Sequence, residues 1–278
     1  MKVVTLALLV CMAPLACAQN NDDPEAPAID KASTAFVEST RSSIKQLSDA
    51  GFEGDLQTPV LGANADELFT TQLQLINGAK PLSGIDTANK GVTYDVIVQP
   101  GHYGRPNGNG KPLGTHGDLV SEKALVAYIA NVTAQRLRDS GLSVLVISAD
   151  KYPHPLPRAK VFLAIHAEGS ENHCKAKASL AYSSSASPLA MHAVGWALSS
   201  ALGYRYSDFA RDNYTPNERD YYMFGVVRAE RLTGLLEVGE LTCPEREKKL
   251  IGSSELIGDN IASALKFIAQ MRVPASNP

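Results

Sequence analysis

The stretch from Thr93 to His102, which reads T-Y-D-V-I-V-Q-P-G-H, decides how the rest of the chain is arranged. Its centre, Val96 to Val98, is a short apolar β-branched run bounded by Pro100 and Gly101, which is typical of a buried parallel strand. In an open α/β sheet, ligands bind in the crevice beyond the carboxyl ends of the strands. The stretch therefore predicts such a sheet and places His102 at its ligand-binding edge. A single histidine after a strand is more often a packed or turn residue, so a site needs further residues.

The next predicted helix adds a carboxylate to this edge. Its apolar residues recur at helical spacing and form one face that packs on a sheet: Leu125, Tyr128, Ile129 and Val132. Glu122 then lies in the first turn of the helix, where the helix dipole favours an ionised carboxylate. Alone, a glutamate at this position is more often a solvated first-turn residue.

A second histidine follows a second apolar run, Val161 to Ile165. His166 and His102 end two strands, and Glu122 opens the helix between those strands, so all three side chains can point into one crevice. Two histidines and one glutamate with an open fourth position form a known catalytic zinc set. The sequence therefore predicts a zinc site at the carboxyl edge of the sheet.

The stretch from Gly234 to Leu241, G-L-L-E-V-G-E-L, predicts a further buried strand that carries an acid. Burying an unpaired charge is costly, so Glu237 needs a partner or a task, such as that of a general base beside a metal. Side chains alternate along a strand, so Glu237 and Glu240 face opposite sides unless the strand ends or bulges between them. Glu240 is a candidate supporting or substrate-binding acid, or else a solvated residue at the strand end.

Four motifs, in this order, resemble the zinc-dependent N-acetylmuramoyl-L-alanine amidases of bacterial cell-wall hydrolysis. They are P-G-H at 100–102, S-E-K at 121–123, F-L-A-I-H-A at 162–167 and L-L-E-V-G-E-L at 235–241. The resemblance implies that His102, Glu122 and His166 hold Zn²⁺ and that Glu237 is the catalytic glutamate. It also implies hydrolysis of the amide between N-acetylmuramic acid and L-alanine, in peptidoglycan or in its muropeptide fragments.

Two departures and two alternatives accompany this resemblance. Only ten residues, three of them proline, separate Asp150 from Val161, where the family has a helix, so we expect an extended crossover. Glu240 stands where an apolar aromatic residue is common in the family. The alternatives are a non-catalytic wall-binding or regulatory protein on the same fold, and a zinc amidohydrolase that acts on another small acyl amino acid.

The predicted architecture is α/β, a single domain with a mostly parallel twisted sheet flanked by helices, preceded by an N-terminal helical extension. Residues 1–18 read as a secretory signal peptide that ends in a small-residue cleavage site. Residues 19–91 form the tether and helical extension, with a helix over Asp30 to Ala50, and residues 92–272 form the zinc amidase catalytic domain. We expect secretion across the inner membrane into the periplasm. Lipid attachment at Cys17 is the alternative, although the leucine of a lipoprotein signal is out of place.

The charge balance argues against nucleic acid as a partner. The chain has 26 basic and 29 acidic residues, and loss of Lys2 with the signal leaves 25 − 29 = −4, which provides no basic field. No other apolar run approaches membrane-spanning length, so we expect a soluble mature chain without a transmembrane segment. No sequence feature specifies an oligomeric state.

Cleavage of the signal would leave two of the four cysteines, Cys174 and Cys243. Cys174 lies eight residues after His166 and Cys243 six after Glu237, so both follow strand ends on the same side of the sheet. Because disulfides persist outside the cytoplasm, we predict that the two form a bridge. Two separate free thiols are the alternative.

Two loops carry candidate substrate-binding residues. The glycine-rich excursion from Tyr103 to Leu119 contains His116, and the polar loop over 211–217 contains Arg211, Asn213 and Asn217. If these loops lie over the crevice, their side chains can hydrogen-bond the sugar or peptide of a substrate. Plain surface loops would have the same composition.

Overall fold

A computed structural model describes the chain over residues 42–59, 65–78, 92–105, 113–150, 158–170, 174, 178–183, 187–204, 216–227 and 229–271. Its strands are β1 (Thr93–Pro100), β2 (Val144–Val146), β3 (Arg158–Glu168), β4 (Ser179–Tyr182) and β5 (Ala229–Glu240). They form one sheet in the order β2-β1-β3-β5-β4, in which only β4 is antiparallel to its neighbour. The predicted α/β class with a mostly parallel sheet is confirmed.

The helices surround this sheet and extend it at the N-terminal side. They are α1 (residues 42–49), α2 (Ala65–Gly78), α3 (Glu122–Asp139), α4 (Pro188–Leu202), α5 (Pro216–Arg219), α6 (Pro244–Gly252) and α7 (Ser254–Gln270). Two short 3-10 turns cover Phe52–Asp55 and Tyr222–Gly225. Within the described residues, no helix combines the length and the apolar composition that a bilayer crossing needs.

Alternation along the strands gives the sheet two different faces. One face packs its apolar residues against α3, α4 and α7, through Val96, Val98, Leu163, Ile165, Leu236 and Val238. The other face is smaller and is covered by the segment 221–227; its apolar residues include Ile97, Phe162, Ala164 and Leu235. We call this second face the site face, because residues at its carboxyl edge form the cluster described below.

The N-terminal helices pack against the helical side of the molecule. Gln72 of α2 donates to the Glu255 carboxylate at 3.0 Å and accepts from the Ser254 hydroxyl at 3.2 Å. Ile76 on the same helix is buried. The mixed composition of residues 51–91 did not predict α2, although Phe69, Leu73 and Ile76 recur at helical spacing. The polar contacts of α2 are with a helix almost two hundred residues away.

The crossover into β3 is shorter than expected because the strand begins early. Arg158 already pairs with Thr93 of β1, whereas the apolar run begins only at Val161. The predicted extended crossover lies mostly over 151–157, outside the described residues. The helix predicted over Asp30 to Ala50 is described only from residue 42 and is helical there.

A disulfide joins Cys174 to Cys243, as predicted, across a sequence separation of 69 residues. Cys243 is the residue before α6, and Cys174 follows the end of β3. The backbone N–H of Cys174 also donates to the Glu240 carboxylate at 2.8 Å. The bridge therefore ties the segment that leaves β3 to the end of β5, beside the carboxyl edge of the sheet.

Replacing Cys174 and Cys243 with serine is expected to lower the free energy of unfolding by about 4 kcal/mol, because the bridge restricts the unfolded chain. Urea unfolding of protein lacking residues 1–18 measures this change. Reduced wild-type protein is the matched control and should unfold at the same urea concentration as the double variant. Thiol titration of denatured, unreduced wild-type protein should find no free sulfhydryl; two free thiols would contradict the bridge.

Candidate metal centre and active site

The three predicted metal ligands come together at the carboxyl edge of the sheet. His102 Nε2 lies 3.4 Å from Glu122 Oε1, and His166 Nδ1 lies 3.0 Å from the same oxygen. One ligand atom from each residue lies within 4.8 Å of the others, so the group could hold a metal ion. Glu122 and His166 are buried, and His102 is partly exposed toward the crevice.

The turn after β1 brings the two histidines together. The Gly101 N–H donates to the Ile165 carbonyl at 2.8 Å and ties this turn to β3. A β-carbon at Gly101 would lie 2.5 Å from the His166 ring, so only glycine allows this approach. His102 then adopts φ 56°, a left-handed conformation that costs a non-glycine residue free energy and is often found at functional sites.

Glu122 is held as an ionised carboxylate. Ser121 caps α3 through its side chain, and Glu122 occupies the first turn, as predicted. Its oxygens accept from the backbone N–H groups of Thr115, at 2.8 Å, and Ala167, at 3.2 Å. Burial acts to raise the pKa of Glu122, but hydrogen bonds and charge from the two histidines outweigh it and hold the pKa well below its usual value.

Arg105 supports the outer side of His102. Its Nη1 donates to His102 Nδ1 at 3.1 Å, while its Nε donates to Asp150 at 3.1 Å. A neutral His102 that accepts at Nδ1 carries its proton on Nε2, which faces Glu122. Binding a metal through Nε2 therefore requires that proton to leave and Arg105 to move away from Nδ1.

The outer side of His166 faces a tyrosine instead. His166 Nε2 lies 3.3 Å from the Tyr221 hydroxyl, and the two rings meet edge to face with centroids 5.5 Å apart. The Tyr221 hydroxyl donates to Gln99 Oε1 at 2.7 Å. Burial, together with the nearby Tyr222 and Glu237, raises the pKa of Tyr221 well above its usual value, so its phenol stays protonated.

Glu237 lies beside the cluster, on the strand next to β3. It pairs in register with His166, and paired residues of parallel strands point to the same side of a sheet. Its carboxylate is buried, and Oε2 has no hydrogen-bond partner among the residues that the structure describes. Burial raises the pKa of Glu237 well above its usual value, and Glu122, Glu168 and Glu218 raise it further.

Glu168 and Glu218 extend the acidic lining of the crevice, and neither was singled out from the sequence. Burial raises the pKa of Glu168 to about 7, with added repulsion from Glu218, Glu122 and Glu240. Glu168 stands two residues after His166 on β3, so the period of two could have placed it on the site face. Several carboxylates that raise one another's pKa define a place where a cation is favoured.

The residues present fit a zinc ion. Their donor set, two imidazoles and one carboxylate, is one that catalytic zinc sites use. A divalent cation would offset the negative charge of Glu237 and of the carboxylates around it. Geometry and charge therefore both allow a metal ion at His102, Glu122 and His166.

Glu240 does not reach the crevice as a free acid. A register shift next to Gly239, whose φ is 145°, inserts one extra residue, so Glu240 pairs with Glu168. This irregularity places Glu240 on the same side of the sheet as Glu237. Strand alternation predicts opposite sides unless the strand ends or bulges between the two residues, and here it bulges. Its buried carboxylate accepts from Cys174 N, from the Thr242 hydroxyl at 2.9 Å and from Arg246 at 3.0 Å.

The other substrate-binding candidates are one exposed loop histidine and three residues whose side chains lie outside the described residues. His116 is exposed and forms an isolated antiparallel bridge with Ser121. Arg211 and Asn213 lie outside the described residues, as does the side chain of Asn217 in α5.

A buried acid anchors the loop that precedes Glu122. Glu247 of α6 accepts from three consecutive backbone N–H groups at 2.8 to 3.0 Å, those of residues 118, 119 and 120. These charge-assisted bonds fix the loop against the helix. No local pattern marked Glu247, because its partners lie more than a hundred residues earlier in the chain.

No protein family model and no curated protein matches the chain. Similar solved structures include an N-acetylmuramoyl-L-alanine amidase from Clostridium difficile 630, with 20% identity, a TM-score of 0.47, and coverage of 64% of this chain and 98% of that one. The catalytic domain of CwlV, an N-acetylmuramoyl-L-alanine amidase from Bacillus (Paenibacillus) polymyxa var. colistinus, has 20% identity, a TM-score of 0.47, and coverage of 62% and 96%. The amidase AmiC2 of Nostoc punctiforme has 18% identity, a TM-score of 0.42, and coverage of 62% and 97%. The chemistry open to this chain is set by the residues of its own site.

Proposed function

We propose that this chain is a zinc-dependent amidase that hydrolyses the bond between N-acetylmuramic acid and L-alanine in peptidoglycan or its fragments. The observation that carries the proposal is the pairing of two features. Three side chains that could hold a metal ion meet at the carboxyl edge of the sheet, and beside them lies a buried Glu237 oxygen that has no hydrogen-bond partner in the described part of the chain. A carboxyl group with a raised pKa next to a metal site is suited to general base and general acid catalysis.

His102, Glu122 and His166 would hold the zinc. When bound, zinc polarises the scissile carbonyl and lowers the pKa of water toward about 7, which makes a nucleophile available at neutral pH. Glu237 takes the proton of the attacking water and later delivers it to the leaving amine of L-alanine. With a cation in this site, the repulsion from Glu122 would be offset and the pKa of Glu237 would fall, so that this carboxylate could act as a base.

The choice of amide bond follows from the four sequence motifs that resemble the amidase family. The same resemblance makes peptidoglycan or a muropeptide the partner. The apolar leader at residues 1–18 supports export to the periplasm, and the disulfide supports an oxidising compartment. We propose domain limits at 18 and 91, with residues 92–272 as the catalytic domain.

Metal removal tests this proposal. Treating purified protein with a chelator should abolish release of peptide from a purified muropeptide, and adding one equivalent of zinc should restore it. A wall-binding or regulatory protein would bind muropeptide without turnover under both conditions. Turnover that continues after all zinc has been removed would contradict the proposal.

A further inference from the structure

A chain of hydrogen bonds runs from the interior of the sheet to the outer nitrogen of His166. We propose that Gln99 and Tyr221 are positioning residues that keep a proton on Nε2 of His166, so that Nδ1, which faces Glu122, is the nitrogen that binds the metal. The inference rests on the proposed zinc site and concerns how this chain prepares one of its ligands. It follows from which atoms in this series of hydrogen bonds can donate a hydrogen and which can only accept one.

The first step fixes the orientation of the Gln99 amide. Gln99 is fully buried on the site face of β1, and its Nε2 donates to the Ser148 carbonyl at 3.1 Å. A backbone carbonyl can only accept, so the NH₂ end of the amide must face Ser148. The Oε1 end therefore faces Tyr221 and can only accept.

The second step fixes the proton of Tyr221. A phenol has one hydrogen to donate, and the Tyr221 hydroxyl donates it to Gln99 Oε1 at 2.7 Å. The phenol oxygen that faces His166 Nε2, 3.3 Å away, is left as an acceptor. Edge-to-face contacts with the rings of His166 and Phe224 hold the Tyr221 ring in this position.

The third step sets the tautomer of His166. Because Tyr221 accepts, His166 Nε2 carries a proton, and Nδ1 is the nitrogen left for a metal. Nδ1 lies 3.0 Å from Glu122 Oε1, so without a metal a proton on Nδ1 is shared with this carboxylate. A metal that binds Nδ1 would take the place of this proton, and Nε2–H would keep its bond to Tyr221.

The two histidines differ in the contact made by the ring nitrogen that faces away from Glu122. The outer nitrogen of His102 accepts from Arg105, so its contact opposes the tautomer that binds metal. The outer nitrogen of His166 meets an acceptor, so its contact favours that tautomer. His166 can therefore keep the same outer contact with and without a metal, whereas His102 has to exchange its outer contact.

Zinc affinity measured by competition with a chromogenic chelator tests the role of Tyr221. Tyr221→Phe keeps the ring packing and removes the acceptor, and it should weaken zinc binding about tenfold, as loss of a bond to a metal-ligating histidine does. Tyr128→Phe is the matched control, because its half-buried hydroxyl hydrogen-bonds Gln72 on the helical side of the sheet and does not contact Tyr221 or His166. It should bind zinc as the wild-type protein does. Equal affinities for wild type and Tyr221→Phe would overturn the inference.

A second variant separates tautomer control from packing. In Gln99→Met the Tyr221 hydroxyl loses its acceptor and is free to donate to His166 Nε2, which favours the wrong tautomer. Gln99→Met should therefore weaken zinc binding at least as much as Tyr221→Phe, and adding Tyr221→Phe to Gln99→Met should restore part of the affinity. Losses that simply add would mean that the two residues only support packing, and would overturn the inference.

Nitrogen-15 NMR of zinc-loaded wild-type protein gives a direct readout. His166 should show metal-bound Nδ1 and protonated Nε2, and coordination through Nε2 would overturn the inference.

These experiments distinguish failure of the inference about Gln99 and Tyr221 from failure of the proposed function. If the wild-type protein binds no zinc, both are contradicted. If the wild-type protein binds zinc and Tyr221→Phe binds it with the same affinity, only the inference about Gln99 and Tyr221 is contradicted.

Discussion

Replacing His102 or His166 with alanine is expected to abolish hydrolysis and to remove zinc from the protein. Each histidine contributes one ligand atom to a group whose atoms lie within 4.8 Å of one another, so loss of either leaves an incomplete set. The remaining ligands, one imidazole and the Glu122 carboxylate, leave most of the coordination to water. We therefore expect activity to fall to background in both variants.

Metal analysis of purified protein measures this effect. Wild-type protein should carry one zinc per chain, and the double variant His102→Ala, His166→Ala should carry none. His116→Ala, on an exposed loop histidine, is the matched control and should keep the wild-type zinc content. Zinc binding by the wild-type protein should also fall in mild acid, because protons compete with the metal for the imidazole nitrogens. Stoichiometric zinc in the double variant would show that the ligands lie elsewhere.

Replacing Glu237 with glutamine is expected to lower turnover by roughly 10²–10⁴-fold, as loss of a general acid and base does. Glutamine keeps the size of the side chain and its polar oxygen, but it cannot take up the proton of water or deliver it to the amine. Glu237 is not among the three ligand-forming residues, so zinc should stay bound. Steady-state turnover of a muropeptide and zinc content, measured on the same preparation, separate the two effects.

Glu240→Gln is the matched control for this prediction. Both glutamates lie near the end of β5, but the Glu240 carboxylate is already engaged by Cys174, Thr242 and Arg246. Its replacement should lower stability by weakening these bonds and should change turnover much less than Glu237→Gln. If the two variants behave the other way round, the base is Glu240.

The sheet and the metal cluster could be predicted from the sequence because their signals are local. Apolar β-branched runs mark β1 and β3, and each run is followed closely by a histidine. Parallel strands bring their carboxyl ends to the same edge of a sheet, so two histidines that each end a strand are expected at that edge. The same reasoning placed Cys174 near Cys243.

The supporting residues of the cluster could not be predicted in the same way. Tyr221 approaches His166 from a turn 55 residues later, and Gln99 reaches Tyr221 across 122 residues. Polar contacts of this kind have no period along the chain. Gln99 did carry one signal, a buried polar residue at the end of an apolar strand, which needs partners.

The position of Glu240 shows the limit of strand alternation. A strict period of two puts Glu237 and Glu240 on opposite faces, yet the register shift beside Gly239 brings Glu240 into pairing with Glu168. A bulge shifts the register of the strand by one residue, and a glycine is the main sign of it in the sequence. The engagement of Glu240 by the disulfide segment depends on contacts that only the folded chain creates.

Mass spectrometry of the products released from a purified muropeptide and from intact peptidoglycan, with and without zinc, tests the central claim most directly. The account predicts that zinc-loaded protein releases a complete stem peptide with a free amino group on L-alanine. The matching product is a muramic acid with a free lactyl carboxylate, and the two masses sum to that of the substrate plus one water. Cleavage within the peptide or the glycan, or turnover confined to small acyl amino acids, would contradict it.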